Sequence, residues 1–242
     1  MCGMPVHHLS ADPVFPHPEL AEPDGLLAVG GDLSTERLLN AYRQGIFPWY
    51  GKDDPILWWS PDPRMVLDPD HIVITKSLAR TLKKEPFRIT LDSAFEDVIA
   101  RCAGAARPGQ PGTWIVPAMR SAYIRLHRAG LAHSVEAWQG DRLVGGLYGI
   151  SLGKAFFGES MFTEQRDASK ICLAYLATLL SAWNFDYIDC QVTTEHLLRL
   201  GAVEIPRAQF LERLQRALKA PNRTGLWYLP TGMSPIMTSS MT

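Results

Sequence analysis

The chain has 242 residues, 46% of them hydrophobic, and balances 24 Lys and Arg against 25 Asp and Glu. That is enough for one or two soluble globular domains with a sizeable core. The net charge of −1 excludes a global field drawing the chain to nucleic acid or membrane, so any polyanion contact has to be local.

In chain order, the opening MCGMPVHHLS lacks a charged-then-apolar signal pattern. Pro13, Pro16, Pro18 and Pro23 keep the start extended, and Gly25, Gly30 and Gly31 mark turns. Ser34 caps a predicted helix over Thr35 to Gln44, which Gly45 stops. Trp49, Trp58 and Trp59 stand among prolines, so residues 1–64 read as a small, irregular α/β N-terminal domain, with Trp58 and Trp59 packing between domains. From 65 to 242 the pattern is regular. A basic helix capped by Ser77 ends near Glu85, a strand covers Phe87 to Leu91, and Ser93 with Glu96 forms a capping box for a helix to about Cys102. Gly104 to Gly112 is expected to be a mobile loop. Pro117 opens a helix that Gly130 ends. Ala132–Trp138 and Arg142–Leu152 form a hairpin through Gln139-Gly140-Asp141, and Ala155–Glu159 is a third strand. Ala168–Asn184 is apolar nearly all round, the mark of a buried helix. Tyr187–Val192 is a strand, Glu195–Leu200 a short helix and Arg207–Lys219 an amphipathic one, and the last ten or so residues are expected to be disordered. The longest apolar stretch, from Ile171 to Trp183, is too short to span ~30 Å of hydrocarbon. Cys2, Cys102, Cys172 and Cys190 make no CxxC pair and no histidine stands at zinc spacing, so the expectation is a cytoplasmic protein without metal or cofactor.

A strand meander whose centre is covered by one buried helix is the layout of the N-acetyltransferase (GNAT) fold, so the class is α+β: a mixed sheet flanked by helices. Chemistry concentrates where two predicted strands end. Phe157-Gly158-Glu159-Ser160-Met161-Phe162 ends one, and Ile188-Asp189-Cys190-Gln191-Val192 the other. Asp189 and Gln191, two apart, face one side of an extended strand. With Glu159 they would rim a cleft that is apolar below, suited to an apolar group joined to something cationic. Met161, Leu147, Phe156, Leu173 and Ile188 are candidates for its wall, Met161 foremost because a thioether adapts to both branched and flat groups. The linker from Met161 to Lys170 has no glycine and two carboxylates, a poor cradle for the diphosphate of acetyl-CoA. Lys76, Arg80, Lys83 and Lys84 share a helical face, a local excess fit for phosphates.

Ordered segments then show a resemblance. Asp24-Gly25-Leu26-Leu27-Ala28-Val29-Gly30-Gly31-Asp32-Leu33, Gly45-Ile46-Phe47-Pro48-Trp49, Trp58-Trp59-Ser60-Pro61-Asp62-Pro63-Arg64, Ala132-His133-Ser134-Val135-Glu136, Gly158-Glu159-Ser160-Met161-Phe162 and Ile188-Asp189-Cys190-Gln191-Val192 resemble the bacterial leucyl/phenylalanyl-tRNA–protein transferases. The resemblance implies a GNAT-like domain behind a small N-terminal one. It also implies transfer of Leu or Phe, and less readily Met, from aminoacyl-tRNA to proteins with N-terminal Arg or Lys, marking them for N-degron proteolysis. Asp189 and Gln191 match the family's proposed catalytic pair, and Trp49, Trp114 and Tyr42 its aromatic positions for the terminal adenosine. Glu159 would hold the aminoacyl ammonium or the acceptor's cationic side chain. Gln191 would accept a hydrogen bond from the attacking amine while Asp189 orients it. The acceptor of the proton, one of this pair or the tRNA's ribose hydroxyl, is left open. A monomer is expected. The alternatives are an acetyl-CoA-dependent N-acetyltransferase and a non-catalytic binder of tRNA or degrons.

Overall fold

A computed structural model describes residues 6–105 and 113–235. At the N-terminal end, β1 (His7–Leu9) runs parallel to β2 (Leu26–Gly30). Gly30 and Gly31, at φ of 88° and 73°, turn the chain out of β2 at angles that favour glycine. Ser34 then accepts the Arg37 N–H and caps α1 (Thr35–Arg43). Two short strands, β3 (Phe47–Pro48) and β4 (Leu57–Trp59), complete a four-stranded sheet in the order β1-β2-β4-β3. Trp58 is fully buried, its Nε1 donating to the Gly30 carbonyl at 2.9 Å and its ring set against Phe15. It therefore belongs to a core cluster that joins this small sheet to residues later in the chain, and Trp59 leans on Trp49 and packs against the same cluster.

The larger unit follows with β5 (Arg64–Leu67), α2 (Lys76–Leu82), β6 (Arg88–Leu91), α3 (Phe95–Gly104) and α4 (Pro117–Arg128). Next come β7 (Ala132–Gln139), β8 (Arg142–Leu152), β9 (Ala155–Thr163) and α5 (Ala168–Ala182). The chain continues through β10 (Tyr187–Gln191), α6 (Glu195–Leu198), β11 (Val203–Ile205) and α7 (Arg207–Ala217). The seven strands lie in the order β11-β5-β10-β9-β8-β7-β6. β6 to β9 form an antiparallel meander, and β10 returns parallel to β9 after crossing through α5. The architecture is a mixed α+β one.

Strand alternation sorts the core. Leu147, Phe156 and Ile188 join the cluster under α5, while Val66, Tyr148 and Phe157 join the cluster of α3, α4 and the N-terminal unit. α5 is apolar nearly all round because the sheet covers one side and Leu78 and Leu82 of α2 pack against its Ile171. Two expected caps shift by a residue or two. Thr75, not Ser77, caps α2, and the box of Ser93 with Glu96 does not form, because α3 starts after Ala94 while Ser93 bonds the Leu91 carbonyl and Glu96 pairs with Arg128. β9 runs on to Thr163 because β8 offers it partners as far as Gly145. Past α7 the chain comes back across the sheet. The Trp227 N–H donates to Asp92 at 2.7 Å, its ring stacks on His133 at 3.7 Å, and it lies 5.9 Å from Phe156. The expected mobile loop, from residue 106 on, and the expected disordered tail, from residue 236 on, lie outside the described residues. No helix among the described residues is long and apolar enough to cross a membrane.

Candidate active site

β9 and β10 pair in parallel only as far as Phe157 and Asp189. Beyond that pair a cavity of about 530 Å³ opens, lined by both strand ends. Each end carries an irregularity. On β9, Ser160 faces Tyr148 and Gly158 faces Gly149, so Glu159 is the extra residue with no partner on β8. On β10, Asp189 faces Val66 and Gln191 faces Met65, so Cys190 is extra, and Gln191 takes a φ of 64°. Bulges of this kind re-aim side chains near the end of a ladder, and here Glu159 and Gln191 meet.

The Gln191 Nε2 donates to Glu159 Oε1 at 2.8 Å. The Tyr42 hydroxyl from α1 reaches the same oxygen at 2.7 Å, and the Tyr123 hydroxyl from α4 reaches Oε2 at 2.8 Å. The two hydroxyls lie 2.5 Å apart. Burial pushes the Glu159 carboxyl up to about 7; the Asp189 charge adds to the rise, and the two tyrosines and Gln191 oppose it. The group is thus half-ionised near neutrality. Both phenols are raised in turn, first by burial and then by the Glu159 charge, so they stay protonated as donors.

Asp189 does not line the cavity. It lies one step deeper, fully buried, and takes a two-pronged ion pair from Arg64, Nε to Oδ1 at 2.8 Å and Nη2 to Oδ2 at 2.6 Å. The guanidinium is itself sandwiched between the Phe47 and Phe210 rings at 4.8 and 4.6 Å. Asp189 Oδ1 also accepts the Gln191 N–H at 2.9 Å. The carboxylate therefore holds the backbone of Gln191 in its unusual conformation. The expectation that Asp189 and Gln191 sit side by side at the rim thus gives way to a relay, Arg64 to Asp189 to Gln191 to Glu159.

All five expected wall residues, Met161, Leu147, Phe156, Leu173 and Ile188, line the cavity. Leu147 and Met161 are cross-strand partners, and Phe156 faces Ile188 across β9 and β10. Trp49 and Trp114 line it too. Tyr42 does not: it is wholly buried and spent on Glu159, so its ring offers no surface for a base to stack on. Cys190 lines the cavity, its thiol pushed up by burial and then by the Asp189 charge, which keeps it protonated. Tyr123 and Arg64 were not foreseen. Tyr123 lies on the buried face of α4, where a tyrosine at helical spacing reads as core, and only its contact with Glu159 marks it out. Lys76, Arg80, Lys83 and Lys84 are all exposed, with Lys83 and Lys84 just past the end of α2. Among the described residues none of the four enters an ion pair. No group of His, Cys, Asp and Glu able to hold a metal occurs among the described residues.

Residues 66–215 match the family model described as leucyl/phenylalanyl-tRNA protein transferase, and residues 31–62 match the model for the N-terminal domain of that enzyme. A leucyl/phenylalanyl-tRNA–protein transferase of Anaeromyxobacter sp. (strain Fw109-5) is 62% identical over 232 residues, covering 96% of this chain and 99% of that protein. The enzyme of the same description from Nitratidesulfovibrio vulgaris (strain DP4) is 58% identical over 222 residues, covering 92% and 95%. Among solved structures, L-PGS from Bacillus licheniformis aligns at a TM-score of 0.35 with 12% identity, over 88% of this chain and 71% of that one.

Proposed function

Because the chain belongs to the leucyl/phenylalanyl-tRNA–protein transferase family, whose members move an aminoacyl group from tRNA to protein, we propose that it transfers Leu or Phe, and less readily Met, to the α-amine of proteins beginning with Arg or Lys. Such transfer would mark those proteins for N-degron proteolysis, in the cytoplasm where aminoacyl-tRNA is made. The observation that carries this reading is the meeting of Glu159 and Gln191 at the mouth of an otherwise apolar cavity.

The chemistry is attack of an amine on an ester carbonyl. Met161, Leu147, Phe156, Leu173 and Ile188 give a branched or a flat apolar side chain a fitted wall and offer a charged one no partner of their own. With its NH2 bound to Glu159, the remaining polar atom of the Gln191 amide is its carbonyl oxygen, an acceptor for the N–H of the incoming amine. Asp189 acts as a positioning residue by fixing the Gln191 backbone. Glu159 orients the amide, and its ionised form supplies a counter-charge to a cation entering the cavity. Trp49 and Trp114 suit the terminal adenosine, since stacking on an aromatic ring is worth ~1–3 kcal/mol per base. The exposed Lys76, Arg80, Lys83 and Lys84 suit the phosphates of the acceptor stem.

The sheet with α5 on one face supports the GNAT-like layout, and the separate sheet before residue 64 supports a division into a unit over 1–64 and another over 65–242. The start of α5 argues against acetyl-CoA. Asp167 occupies that helix end in a left-handed conformation, bonded to Thr81 and paired with Lys170, so a diphosphate would meet a carboxylate there. Incubating the protein with labelled Leu-tRNA and an Arg-terminated peptide tests the reading. Labelled peptide supports it; modification only with acetyl-CoA, or tRNA binding without product, would refute it.

A further inference from the structure

Four titratable side chains among the described residues line the cavity: Tyr148, Glu159, Cys190 and His196. The first three are committed. Tyr148 is fully buried with its ring edge against Phe95 and Tyr123, Glu159 already accepts three hydrogen bonds, and the Cys190 thiol is held protonated. His196 differs. It stands on α6 at the rim, open to solvent on one side and turned to the cavity on the other, and it makes no hydrogen bond with another described residue.

An acceptor protein arrives mostly as an α-ammonium, which has no lone pair. Gln191 cannot take its surplus proton because an amide does not titrate, and Asp189 is sealed behind it by Arg64. Resting on the reading that the aminoacyl ester lies in this cavity, we infer that His196 takes the proton that the acceptor's α-ammonium sheds before its nitrogen attacks. The ammonium gives one proton to the imidazole. The freed lone pair forms the C–N bond to the ester carbonyl, and the C–O bond to the ribose breaks. The nitrogen's second proton goes to the leaving ribose oxygen, and the imidazolium returns its own to water.

The surroundings suit that cycle. Burial lowers the His196 pKa, and the positive charges of Lys170 on α5 and Arg199 on its own helix lower it further. Glu195, the nearby carboxylate on α6, is paired with Arg199 at 3.8 Å. These influences all favour the neutral ring, ready to accept, and once it is charged they press it to let the proton go.

The test is single-turnover transfer from Leu-tRNA by wild type and His196→Gln between pH 7 and pH 9, using two acceptors. One is an Arg-terminated peptide; the other carries an aminooxy group in place of the terminal amine and is unprotonated throughout. About a tenth of an ordinary α-amine is neutral at pH 7. With the peptide the variant should thus be about tenfold slower at pH 7 and should meet wild type at pH 9. With the aminooxy acceptor the two proteins should be equal at every pH. Equal rates on the peptide at pH 7, or a variant slow on both acceptors, would overturn the assignment. Product from neither acceptor with wild type would sink the placing of the ester in the cavity along with it.

Discussion

Replacing Glu159 with Gln keeps the shape of the buried site and removes its titration. In wild type the folded state holds that proton up to about 7, against an ordinary carboxyl value of 4.5. A group whose folded pKa is raised adds stability that is fully present below the unfolded value and is lost as the pH rises through the folded one. At ~1.36 kcal/mol per pKa unit, the whole effect is about 3 kcal/mol. Exposure of only 8% means that solvent screens little of it. The Tyr42 and Tyr123 hydroxyls can turn to accept from the new amide, so the variant should fold. Urea unfolding of both proteins at intervals from pH 5 to pH 8 would measure the difference. Wild type should lose about 2–3 kcal/mol relative to Glu159→Gln over that span, with the change finished shortly above pH 7. Comparing the two proteins cancels the titration of His133, His196 and Glu136, which they share. Parallel stability profiles would mean that Glu159 carries an ordinary carboxyl, and the account of a half-ionised group at the cavity mouth would fail.

Gln191→Ala should slow single-turnover transfer by ~10²-fold while Leu-tRNA binding stays unchanged, since the lost contact is to the reacting amine; a wild-type rate would remove Gln191 from the chemistry. Met161→Ala should weaken use of both Leu-tRNA and Phe-tRNA by ~1–3 kcal/mol in kcat/KM, and Met161→Trp should block both, as competition between the two charged tRNAs would show. Lys83→Ala combined with Lys84→Ala should reduce the slope of log affinity against log salt by roughly one to two units for every aminoacyl-tRNA, and an unchanged slope would return these lysines to ordinary surface.

The second half of the chain was largely legible because its signals are local. The hairpin through Gly140, the buried α5 and the strands on either side of it fall where alternation and apolar patterning put them; the two strand ends delivered Glu159 and Gln191, and β8, β9, β10 and α5 together the five wall residues. What stayed hidden depends on contacts between distant segments. The strands β1 to β4 are two to five residues long and interrupted by Pro and Gly, so their periodicity is too short to read. Asp189 was expected at the rim because it shares a strand with Gln191. Nothing in its own neighbourhood announces Arg64, which comes from 125 positions earlier. Tyr42 offered an aromatic ring by type, yet its hydroxyl decided its place. Likewise the bulges at Glu159 and Cys190 follow from pairing with β8 and β5, and no spacing within β9 or β10 signals them.

The return of Trp227 bears on how the protein comes into being. Phe156 and the other wall residues are translated well before Trp227, which presses on Phe156 from behind and is anchored by Asp92 and His133. Every described residue that lines the cavity is thus joined to the chain while the backstop is still to come. A nascent chain, or one truncated just before Trp227, possesses the whole inner surface but lacks the keystone that keeps it taut. The packing behind the cavity wall is accordingly among the last contacts the polypeptide can complete.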